Sequence, residues 1–176
     1  VLFFLSCGYL NPMDINVDSY LEQPVSYTPY LELPYIIISP SNKKEEIGEL
    51  LDAKFSHFAE CLLSNDLALE DEIERVQRYW TYIVVGGTFD CGGTFDTCNG
   101  LTIPKKFAVV LAYEADFRNG KLPLFCHELT HVFTSEVIKK YEREEFNELT
   151  QDQINTVEKL SNLQKQYVDR LIDTGD

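Results

Sequence analysis

Two of the three histidines in the chain, His127 and His131, stand four residues apart in His127-Glu128-Leu129-Thr130-His131. Each residue of an α-helix turns the chain by about 100°, so positions four apart share a face and two imidazoles there can reach one ion. Zinc suits such a pair, because it takes neutral imidazole nitrogen, uses three protein ligands in a catalytic site and leaves a further position for water. His127 and His131 are therefore candidate metal ligands. Glu128 lies beside the first of them, where a carboxylate can take a proton from that water, and is the candidate general base. Phe125, Leu129 and Val132 fall on the other side of the same helix, which separates a ligand face from a core face. His57 stands apart between Phe55 and Phe58 and reads as a packed or surface histidine, not a ligand.

The elements that must hold this helix are legible from patterning. Leu33 to Pro40 is a short apolar, β-branched run bounded by prolines, which suits a strand buried on both faces. Asn42 followed by Glu45 marks a helix start, after which Ile47, Leu50, Leu51, Phe55, Phe58 and Leu62 recur at helical spacing. Residues 65–76 are acidic and polar and leave a helical turn and an exposed link as open alternatives. Tyr79 to Val85 is a second strand that stops at Gly86-Gly87. The pentapeptide Gly-Gly-Thr-Phe-Asp, at 86–90 and again at 92–96, is a loop, and Asn99-Gly100 signals a tight turn. Phe107 to Tyr113 is a third strand, and Pro123 fits the first turn of the helix that follows. From Leu124 the chain reads helical almost to its end, with a restart at Thr150 and Gln153. This order predicts an α+β domain, a small mixed or antiparallel sheet covered by helices and closed by a C-terminal helix.

Composition narrows the function classes. An apolar fraction of 44%, with ten Tyr and eleven Phe among 176 residues, is that of a folding chain with one core. A net charge of −14 opposes binding to a phosphate backbone, so nucleic acid is excluded as a partner. The opening Val1-Leu2-Phe3-Phe4-Leu5-Ser6-Cys7 is too short to span a bilayer and ends on a small residue before a cysteine, like the tail of an export signal. Phe4-Leu5-Ser6-Cys7 resembles a bacterial lipoprotein signal, in which Cys7 would carry the lipid. A buried strand beginning at Val1 is the other reading of this run. The export reading divides the chain into a residual signal at 1–7, a tether at 8–30 and one domain at 31–176. It places the protein in the bacterial cell envelope, lipid-anchored or secreted, with membrane contact only through Cys7. Of the remaining cysteines, Cys91 and Cys98 are the favoured disulfide, since they would close a Gly-rich loop.

The motif His127-Glu128-Leu129-Thr130-His131 resembles the active-site helix of the zincin metallopeptidases, and the layout of residues 33–148 is loosely similar to theirs. The resemblance implies that His127 and His131 bind Zn2+ and that Glu128 serves peptide hydrolysis by a metal-activated water, as general base and then proton donor. It also implies a peptide or protein substrate that adds as a further strand near Phe107 to Tyr113. No His-x-x-Gly-x-x-His follows the motif. Asn147-Glu148-Leu149-Thr150-Gln151-Asp152 instead resembles the gluzincin segment that supplies a glutamate ligand, which makes Glu148 the implied third ligand. A straight helix would carry Glu148 about 25 Å from His131, so that role requires a chain reversal after the motif. If the reversal falls at Asn147 to Thr150, Glu158 or Asp169 comes closer, and a ligand beyond Asp176 is a further alternative. The other function class is a domain that binds zinc without catalysis, as a binding or structural part of the envelope.

Overall fold

A computed structural model describes residues 17–90, 98–118 and 120–142, and residues 151, 152, 154, 155, 158, 159 and 162 of the C-terminal stretch. The chain runs through a short helix α1 (Val17–Leu21), a two-residue strand β1 (Ser26–Tyr27), β2 (Pro34–Ile37) and a 3-10 turn at Ser41–Lys43. Two helices follow, α2 (Lys44–Ser64) and α3 (Glu70–Tyr79), then β3 (Thr81–Val85), β4 (Gly100–Ile103) and β5 (Ala108–Ala112). The turn α4 (Tyr113–Asp116) leads to the long helix α5 (Pro123–Glu142). The strands form one mixed sheet in the order β1-β2-β3-β5-β4. Its three inner strands are parallel, and β1 and β4 pair antiparallel at the two edges. This is the α+β architecture that the sequence pattern predicts.

The inner strands bury both faces, as parallel strands under helical cover must, and this is why they read as unbroken apolar runs. On one face, Tyr35, Tyr82, Val84, Val109 and Leu111 meet Leu51 and Phe55 of α2, Val76 of α3, and Phe125, Leu129 and Val132 of α5. On the other, Ile36, Ile83, Val85, Val110 and Ala112 form a smaller cluster with Leu101, Ile103 and Val17. Phe125, Leu129 and Val132 are the core face read from the sequence, and each is fully buried.

Several expectations are corrected. The stretch 8–30 is not a tether throughout: Val17 is buried, and Ser26 and Tyr27 pair with Tyr35 and Pro34. Asn42 lies in the 3-10 turn and caps nothing; α2 begins at Lys44 without a side-chain cap. Of the acidic stretch 65–76, residues 65–69 form a link and Glu70 starts α3, whose buried Ile73 and Val76 hold it to the core. Gly100 is no turn residue but the first residue of β4. β5 is an inner strand, so the edge expected near Phe107 to Tyr113 is provided by β4. No helix among the described residues is long and apolar enough to cross a membrane.

The Tyr82 phenol is buried between sheet and α5 with no hydrogen-bond partner among the described residues, and its ring meets Phe125 edge-on at 5.1 Å between centroids. Burying a hydroxyl without a partner costs free energy, so the ring and not the oxygen is what stabilises here. Tyr82→Phe is expected to leave the urea unfolding midpoint unchanged or raised, whereas Phe125→Ala is expected to cost about 3–5 kcal/mol. A loss above about 1 kcal/mol for Tyr82→Phe would show that the phenol is engaged.

Candidate metal centre

The position of the motif is set by how α5 begins. Leu122, fully buried, takes a left-handed conformation at φ 47°, and Pro123 starts the helix immediately after it. A branched residue rarely adopts that conformation, so the turn must be held from outside. Asp116 does this: its backbone oxygen accepts from the Leu122 amide at 3.3 Å. Its two carboxylate oxygens accept from the amides of Leu124 at 2.7 Å and Phe125 at 3.0 Å. These are among the amides a helix start leaves without an intrahelical acceptor, and a carboxylate also suits the positive end of the helix dipole.

With the start fixed and the apolar face on the sheet, His127, Glu128 and His131 come together in the interior. The three are at most 4% exposed, and their candidate ligating atoms all lie within 4.8 Å of one another. The two imidazole Nε2 atoms converge to 3.3 Å, with the rings nearly perpendicular at 79°. Two ligands on one tetrahedral zinc, each at 2.0–2.1 Å, are about 3.3 Å apart, so the pair already has the spacing that one ion requires. Burial pulls His127 down to about 4, and burial together with His127 pulls His131 down to about 3. Both rings are therefore neutral near pH 7, the form that ligates metal.

Glu128 is pushed the other way. Burial raises it to about 8, against the hydrogen bond from Thr102 and with the help of the Asp116 charge. A cation held beside the carboxylate would oppose that rise. The remaining polar groups of this stretch bond back into their own helix: Thr130 Oγ1 donates to the His127 carbonyl at 2.6 Å, and Ser135 Oγ donates to that of His131 at 2.7 Å. Such back-bonds satisfy buried hydroxyls locally.

The other residues singled out in the sequence are not brought to this cluster. Glu158 is exposed and outside it, and Glu148 and Asp169 lie outside the described residues. His57 is exposed on α2, its Nε2 3.9 Å from Cys61 Sγ. Cys98 is disulfide-bonded, while Cys61 and Cys126 are free thiols. Cys91, the partner expected for Cys98, and Cys7, the lipidation candidate, lie outside the described residues. Sequence reading missed Asp116 and Thr102, which hold the site helix and its glutamate. Asp116 ends a four-residue helix with no periodicity of its own, and Thr102 sits in a strand too short to stand out beside Asn99-Gly100.

The chain matches no protein-family model, no curated protein and no solved structure.

Burial lifts Asp116 from the usual carboxylate range to about 7, although the two amides and Lys54 pull it back. A carboxyl that holds its proton more tightly when folded loses its contribution to stability as pH rises from the unfolded value, about 4, through the folded one. Asp116→Asn keeps an accepting oxygen and does not ionise. The stability of the wild type relative to this variant, from urea melts, is therefore expected to fall between about pH 5 and about pH 8. A difference that stays constant or grows over that range contradicts the assignment.

Proposed function

We propose that this domain is a zinc-dependent peptidase of the zincin type, with His127 and His131 holding the metal and Glu128 acting as general base and proton donor. The observation that carries this reading is the 3.3 Å convergence of two buried, neutral imidazoles beside a carboxylate within 4.8 Å. A catalytic zinc needs a third protein ligand, for which Glu148 and Asp169 remain the candidates in the sequence. Zinc bound there supplies Lewis acidity, which makes water acidic enough to lose a proton near neutral pH and polarises the scissile carbonyl. Glu128 then takes the proton of the attacking water and returns it to the leaving amine.

A peptide as substrate rests on the resemblance of the motif and not on the terminal strand beside it. Across the β4–β5 ladder the Ala112 amide donates to the Asn99 carbonyl at 2.8 Å, and Gly100 faces Leu111 in register. Alternation along an antiparallel pair then turns the peptide groups of Gly100 and Thr102 away from β5. All four residues of β4 are buried, however, so these backbone groups are covered and offer no open edge to an extended peptide. The same proposal carries the reading of an exported chain with a lipid anchor at Cys7, which rests on the run Val1 to Cys7.

One observation favours a second reading, in which zinc is held without catalysis: all three residues are almost fully buried, as in closed structural sites. Replacement of the base separates the two. Glu128→Gln is expected to retain zinc and to lower the rate of peptide-library cleavage by about a hundredfold or more, the scale of a lost general base. His131→Ala is expected to lose zinc and activity together. A Glu128→Gln protein that cleaves as fast as the wild type sinks the peptidase reading and leaves the zinc-holding one.

A further inference from the structure

The Glu128 carboxylate is held by two residues of the neighbouring strand. Thr102 Oγ1 donates to Glu128 Oε2, and the same hydroxyl lies 3.4 Å from the Glu128 carbonyl oxygen. A hydroxyl has one proton, and the carboxylate is the stronger acceptor. The other carboxylate oxygen lies over Gly100, where a Cβ would stand 3.0 Å from Oε1 and 3.3 Å from Cγ. Gly100 sits in regular strand, so the missing side chain provides space here, not an unusual backbone angle. Residues two apart on a strand share a face, and Gly100 and Thr102 both turn toward α5 while Leu101 and Ile103 enter the opposite cluster.

We propose that Gly100 and Thr102 form a seat that orients the Glu128 carboxylate, with Thr102 the positioning residue for the general base, an inference that rests on the peptidase reading above. The hydroxyl claims Oε2 and the glycine gap receives Oε1, so the carboxylate is confined to one orientation. A Thr102 that merely satisfied a buried polar group would affect stability and leave turnover alone.

The test compares Thr102→Val, which keeps the shape and removes the donor, with Thr102→Ser, which keeps the donor, in zinc-loaded full chain cleaving a fluorogenic peptide library. Thr102→Val is expected to retain zinc and lower kcat by about tenfold or more with KM within about threefold, while Thr102→Ser stays within about threefold of wild type. Gly100→Ala is expected to lower kcat likewise, and it carries the test if Thr102→Val does not fold. An unchanged kcat in Thr102→Val, or equal impairment in Thr102→Ser, overturns the inference. If the wild type cleaves no peptide, the peptidase reading fails by itself. The seat is then decided by thermal unfolding of Thr102→Val, Glu128→Ala and the double variant: a combined Tm loss smaller than the sum supports it, and additivity overturns it.

Discussion

Asp116 takes the first amides of α5 on both carboxylate oxygens, and the placing of every other group in the centre follows from that contact. The helix leaves a left-handed Leu122 that only a fixed surrounding can sustain, and its apolar side then runs across β3 and β5 through Phe125, Leu129 and Val132. Because helix faces are fixed by the 3.6-residue turn, seating those three side chains on the sheet rotates His127 and His131 together to another side. The motif is thus aimed by residues that take no part in its chemistry. A cap that slipped by one residue would rotate the histidines by about 100° and separate them from β4.

Holding two imidazoles and a carboxylate in the interior is costly unless each is neutral or has a partner. The directions of their shifts show how the cost is met: both histidines are driven toward the neutral form, and Glu128 toward the protonated form except where Thr102 donates to it. Two neutral nitrogens 3.3 Å apart and one oriented carboxylate make a poor packing core, and their spacing is that of the proposed metal site. The polar cluster is a poor source of stability, since an apolar trio of similar volume would pack there without desolvating an acid.

Much of this was legible in the sequence, and the exceptions have physical causes. β2, β3 and β5 announced themselves because strands buried on both faces cannot hide their apolar runs, and α2 and α5 because their core positions recur at helical spacing. The meeting of His127 and His131 followed from spacing alone, since four residues is about one helical turn. β4 did not announce itself: four residues beginning at a glycine after an asparagine look like a turn until the partner strand is known. Its register with β5, a long-range property, is what brings Thr102 to Glu128. The same holds for Asp116, whose role exists only once the chain has turned back at Leu122. A third ligand for the proposed zinc would have the same character, because it depends on where the chain reverses after the motif and not on any spacing within it.

In the proposed site His127 and His131 bind one zinc ion through the two nitrogens that face each other. X-ray absorption at the zinc edge on protein purified without chelator reads the shell of that ion. About one zinc per chain is expected, with two imidazole nitrogens at about 2.0–2.1 Å and loss of the imidazole signature in His131→Ala. Protein that retains no zinc, or a sulfur-dominated shell unchanged by His131→Ala, would contradict that assignment.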